Sequence, residues 1–113
     1  MDFKNVDFRV STVVNDDGST EIYFEGVRNW EDFDMLLILL QRENGCNVLS
    51  DEDLMFKREA NISKDGKEFQ LVQDDMFGNY LYTKDSDLVP FLEELANNII
   101  NSIVQKLEDK GLR

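Results

Sequence analysis

From Val6 to Val14 the even positions Val6, Phe8, Val10, Thr12 and Val14 are apolar or β-branched, and Asp7, Arg9 and Ser11 between them are polar. A period of two puts alternate side chains on opposite faces, so this stretch predicts a strand with one buried face. Asn15-Asp16-Asp17-Gly18 then supplies residues that tolerate positive φ or cap their own turn. The alternation resumes with Ile22 and Phe24 inward and Glu21 and Glu25 outward. Two such runs around an Asp-Gly turn predict a β-hairpin.

The period then lengthens. Asn29, with Asp32 three residues later, predicts a helix N-cap with a carboxylate in the first turn. Trp30, Phe33, Leu37 and Leu40 share one face with Leu36 beside them, and Asn44-Gly45 supplies the left-handed stop. Met35, Ile38 and Leu39 make the other faces of this helix 29–44 apolar as well. Such a helix is either central in the fold or covered by something else.

Beyond it, Cys46–Leu49 predicts a short strand and Ser50-Asp51-Glu52-Asp53 a polar loop. Leu54, Phe56, Ala60 and Ile62 alternate with Met55, Lys57, Glu59 and Asn61, which predicts a strand from Leu54 to Ile62. Lys64-Asp65-Gly66-Lys67 is a second Asp-Gly turn, continued by Phe69 and Leu71. A longer connection, Asp74–Asn79, leads to a last strand at Tyr80–Tyr82. Asp85, Ser86 and Asp87 can cap a final helix with Pro90 in its first turn. Its stripe is Leu88, Phe91, Leu92, Leu95, Ile99, Ile103 and Leu107, and it ends near Lys110-Gly111. The order ββα-ββ(β)-α predicts an α+β fold: an antiparallel sheet of about five or six strands with two helices on one face. One domain over residues 1–113 is expected from the length.

Composition narrows the chemistry. The chain has 24 acidic and 12 basic residues, a net charge of −12, no histidine and one cysteine. A disulfide framework is excluded, and a closed Cys/His zinc site needs more ligands than Cys46. Histidine-based catalysis is unavailable, and a nucleic-acid surface would need the opposite charge. The acids fall mostly in turns, at helix starts and on solvent faces, where a carboxyl keeps ordinary acidity. Cys46 follows a helix C-terminus, whose partial negative charge disfavours a thiolate. The acidic runs Asp16-Asp17, Asp51–Asp53 and Asp74-Asp75 lack the spacing of an EF-hand. No enzymatic role, metal or cofactor is therefore expected. The N-terminus Met1-Asp2-Phe3-Lys4-Asn5 has no apolar core of a secretory signal, and the longest apolar run, Met35–Leu40, is too short to span a bilayer. A cytoplasmic protein without membrane contact is the expectation.

One connection carries more than a turn requires. Asp74–Asn79 places Met76 and Phe77 at a hairpin tip beside Asp74 and Asp75. Turn geometry is served by Asp75, Gly78 and Asn79, so the two large apolar residues either fold back onto the protein or anchor a partner. Asp74, Asp75, Met76 and Phe77, with the acidic run Asp51, Glu52 and Asp53, form the candidate partner-binding set. The charge exceeds what solubility asks of a small domain and suits a basic protein partner. Size, acidity and missing catalytic machinery together suit an inhibitor of the kind that bacterial immunity proteins are to nuclease toxins, whose clefts must be cationic. Two alternatives remain. In the first, helix 29–44 and the face Ala96, Ile100 and Val104 form a homodimer seam; in the second, a small ligand or substrate sits between sheet and helices.

Overall fold

A computed structural model describes residues 3–113; Met1 and Asp2, the start of the stretch read for a targeting signal, lie outside the described residues. Six strands and two helices follow one another as β1 (Arg9–Val14), β2 (Thr20–Glu25), α1 (Asp32–Asn44), β3 (Asn47–Asp53), β4 (Lys57–Lys64), β5 (Lys67–Asp74), β6 (Gly78–Thr83) and α2 (Val89–Asp109). The strands form one antiparallel sheet in the order β1-β2-β6-β5-β4-β3. The fold is α+β, as the patterning predicts. Tight turns make β3 to β6 a meander, and α1 carries the chain from β2 to the far edge, leaving β2 free to receive β6. No helix among the described residues is long and apolar enough to cross a membrane.

Both helices pack on one face of the sheet. Ile22, Phe24, Ala60, Ile62, Phe69, Leu71 and Leu81 point into that side. They meet Phe33, Leu36, Leu37 and Leu40 of α1 and Leu92, Leu95, Ala96, Ile99 and Ile103 of α2. Ala96 and Ile100 are thus buried in this chain's own core and do not present a seam. Asp85 caps the 3-10 turn that opens α2 by accepting from the Asp87 N–H, and Pro90 stands in the first helical turn, both as expected. Gly45, in the left-handed region at φ 68°, ends α1.

Several boundaries shift. The first strand begins at Arg9, because Phe8 turns in against Gly26, where a Cβ would lie 2.8 Å from its ring. Val14, expected on the buried face, is exposed at the end of edge strand β1. Helix α1 starts at Asp32, and Asn29 does not cap it with its side chain. Instead the Asp32 carboxylate reaches back to the Asn29 N–H at 3.1 Å, leaving Trp30 outside the helix. Ser50–Asp53 is the second half of edge strand β3, which a bulge at Leu49 keeps in register with β4. The strand predicted from Leu54 begins only at Lys57. Leu54-Met55-Phe56 is a tight turn, with the Leu54 N–H donating to the Lys57 carbonyl at 2.7 Å and Met55 at φ 74°.

Candidate functional site

Pairing of β4 with β5 sets Lys57 opposite Asp74 and Arg58 opposite Gln73. The β3–β4 and β5–β6 turns therefore emerge at the same end of the sheet. Asp51, Glu52 and Asp53 approach that end along β3, while Asp74, Asp75, Met76 and Phe77 form the neighbouring turn. Two segments separated in sequence are brought together.

Between them lies what the patterning missed. Leu54, Met55 and Phe56 are exposed at the first turn, with Met55 at 80% and Phe56 at 75%. At the second, Met76 is 73% and Phe77 56% exposed. Leu54 and Phe56 alternate with Met55 and Lys57 as a strand would, which hides the turn. The usable signal is Asp53, whose carboxylate accepts from the Met55 N–H at 3.0 Å in the manner of an Asx turn. Asp74 does the same for the second turn, accepting from the N–H groups of Met76 and Phe77 at 2.8 and 3.2 Å. Asn79 is not a turn residue but a buried clamp. Its amide donates to the carbonyls of Val27 and Asn29, and that of Gln73 donates to Arg28. These amides fix segment 27–29 beneath the turn end, and Arg28 in turn donates to the Met76 carbonyl at 3.3 Å.

The acids at this end are not equivalent. Asp51 holds Arg58 in a bidentate pair at 3.0 and 2.6 Å, Asp34 of α1 binds the same guanidinium at 2.9 Å, and the cation lies 4.3 Å from the Phe33 ring centroid. Hydrogen bonds to both carboxylates hold the Arg58 guanidinium even more firmly protonated than usual. Asp51 thus ties the sheet edge to α1. Glu52, Asp53 and Asp75 make no ion pair among the described residues and are exposed to solvent.

Phe77 leans onto the sheet face that the helices leave open. It walls a hollow with Val13, Glu21, Tyr23, Glu25 and Arg28. Phe77 is not part of the core cluster. Cys46 is buried, and burial pushes its thiol upward, so it serves as a small apolar residue. Among the described residues no group of three or more metal-ligating side chains converges. Comparison with protein-family models, with curated proteins and with solved structures finds no match to this chain.

Proposed function

We propose that this is a non-catalytic cytoplasmic binding protein that occludes a basic protein partner at the turn end of its sheet, in the manner of an immunity protein acting on a nuclease toxin. One observation carries this reading. Leu54, Met55, Phe56, Met76 and Phe77 are exposed together at one end, fringed by Glu52, Asp53 and Asp75. Binding energy concentrates on aromatic and large apolar side chains that lose water at the centre of an interface, with charge at the rim setting approach and register. An exposed apolar cluster costs solubility unless it is used, and here two turns present one side by side. The net charge of −12 supplies the long-range attraction for a cationic surface and opposes phosphate backbones. Inhibition follows from steric cover of the partner's cationic cleft, which needs no chemistry from this chain.

The test is affinity capture from the native host with the wild-type chain and with a Phe56→Ser/Phe77→Ser variant, followed by assay of the captured protein for nuclease activity. A basic partner retained by the wild type, lost by the variant and inhibited in the complex is the expected result. An acidic partner, or equal retention by both chains, overturns the reading.

A further inference from the structure

The open face of the sheet is not flat. Three hollows lie on it and run into one another: the first shares Gln70, Tyr82 and Lys84 with the second, and the second shares Glu21 with the third, where Phe77 stands. Their linings draw on all six strands, from Leu49 on β3 to Val13 on β1, so they trace one groove across the sheet. At ~4.8 Å per strand the groove is roughly 24 Å long, the span of about seven residues of extended chain.

Its floor is unusual for a solvent-facing sheet. Tyr80 is only 6% exposed, its ring tilted 41° to that of Tyr23 with the centroids 4.9 Å apart, yet its hydroxyl makes no hydrogen bond among the described residues, and the residue lines the middle hollow. Toward β3, Gln70, Asn61 and Ser50 form a chain of side-chain hydrogen bonds that crosses three strands. Toward β1, the Tyr23 hydroxyl donates to Glu21 at 3.1 Å and the Ser11 hydroxyl to Glu25 at 2.7 Å. Each bond orients a carboxylate and leaves its other oxygen without a hydrogen bond among the described residues. Burial, and then the negative field of Glu21, Asp74 and Glu25, push the Tyr23 hydroxyl up to about 12. Three cations stand in these linings: Lys57 is spent on Glu59 at 3.2 Å, Arg28 beside Glu25 donates to the Met76 carbonyl at 3.3 Å, and Lys84 lines the first two hollows.

We infer that this groove binds an extended peptide segment bearing arginine or lysine side chains, supplied by the basic partner proposed above. An extended chain presents alternate side chains to one side, and hydroxyl and amide groups on the floor satisfy its backbone. Glu21 and Glu25 take a cationic side chain against the faces of Tyr23 and Phe77, where a guanidinium gains both charge pairing and ring contact. Phosphate-bearing ligands are repelled by the same carboxylates, and an apolar ligand would cover the Tyr80 hydroxyl and the second oxygens of Glu21 and Glu25 without giving them a partner. The inference rests on the basic-partner reading but uses a different surface from Leu54, Met55 and Phe56.

The probe is a capped heptapeptide of alternating arginine and alanine, titrated into the isotope-labelled protein and followed by NMR. A citrulline-for-arginine version of the same shape serves as the uncharged control. Saturable shifts confined to Glu21, Tyr23, Glu25, Gln70, Tyr80 and Tyr82 are expected, with citrulline binding at least about tenfold more weakly. Glu21→Gln/Glu25→Gln should weaken the arginine peptide by about tenfold, and Tyr80→Phe, which removes only the unpartnered hydroxyl, by about threefold. Circular dichroism of both variants should match the wild type. Equal binding of citrulline, or unsaturable shifts spread over the acids of α2 and the turns, overturns the groove. Retention of the whole partner by Glu21→Gln/Glu25→Gln, with loss by Phe56→Ser, overturns the groove and leaves the turn-end reading standing. Peptide binding in the groove with full partner retention by Phe56→Ser overturns the turn-end reading instead.

Discussion

Phe77 is the residue on which fold and function give different answers. Emptying a buried aromatic site costs ~3–5 kcal/mol, but a ring that remains more than half in water has much less to lose. Phe77→Ala is therefore expected to cost under about 1 kcal/mol of stability by urea denaturation while weakening partner binding by at least ~2 kcal/mol. A loss of several kcal/mol in stability would make it a core residue. Arg58 is the reverse case. Its side chain is only 16% exposed, bridges Asp51 and Asp34, and covers Phe33. Arg58→Ala should lower stability by about 2 kcal/mol, discounted for the solvent around Asp34, with the urea m-value unchanged. A change below about 0.5 kcal/mol would show the bridge to be ornamental. Tyr23 supplies a pH test. Burial raises its folded pKa to about 12 from the ordinary tyrosine value of about 10, so the folded state keeps the proton longer than the unfolded chain does. Stability from this group is complete below pH ~10 and is lost as pH rises through about 12. Ultraviolet titration of the wild type and Tyr23→Phe should show the variant losing less stability over that window; identical alkaline profiles would refute the assignment.

At the level of elements, α1 decides between a central helix and a seam. Leu37 is 8% exposed and its neighbour Ile38, about 100° further round the helix, 45%. Leu37→Asp buries an unpaired charge and should unfold the protein or cost about 3–5 kcal/mol, whereas Ile38→Asp should cost less than about 1 kcal/mol. Met35, Ile38 and Leu39 line an apolar trough with Ile103 and Leu107 of α2 and with Leu112 beyond its end. Light scattering on Ile38→Asp reads the trough directly: a dimer lost in that variant would assign it to a second copy. The elements themselves were legible because period two and period 3.6 differ so plainly at Ile22/Phe24 and at Phe33/Leu37/Leu40. The failures share a cause. The second half of edge strand β3 reads as a loop because an edge can carry Asp51, Glu52 and Asp53 without burying them, a pattern that also discourages edge-to-edge pairing. The Leu54–Phe56 turn reads as a strand because its exposed side chains alternate as buried ones would. Acidic positions on both sides of the candidate site were visible from Asp51–Asp53 and Asp74-Asp75. Their convergence, and the groove floored by Tyr80, depend on the register of β4 with β5 and of β2 with β6, which local pattern does not encode.

For the whole molecule, size and screening length set what the charge can do. The molecule extends 40 × 29 × 24 Å. At ~0.01 M salt the Debye length is ~30 Å, so the excess negative charge acts on an approaching cation almost as one body. At physiological ionic strength it is ~8 Å, and only acids at the contact itself are felt. The association rate with a basic partner should therefore fall by about a hundredfold or more between these conditions, from the steered range toward the ~10⁵–10⁶ M⁻¹s⁻¹ of unassisted docking. Dissociation should change much less, because it is governed by the apolar contact of the two turns. Stopped-flow measurements on two variants separate the contributions. Glu52→Gln/Asp53→Asn/Asp75→Asn should flatten the salt dependence of the on-rate, while Phe56→Ser should leave that slope alone and speed dissociation. An on-rate indifferent to salt in the wild type would reduce the acidity of this chain to a solubility device and remove the electrostatic half of the proposed mechanism.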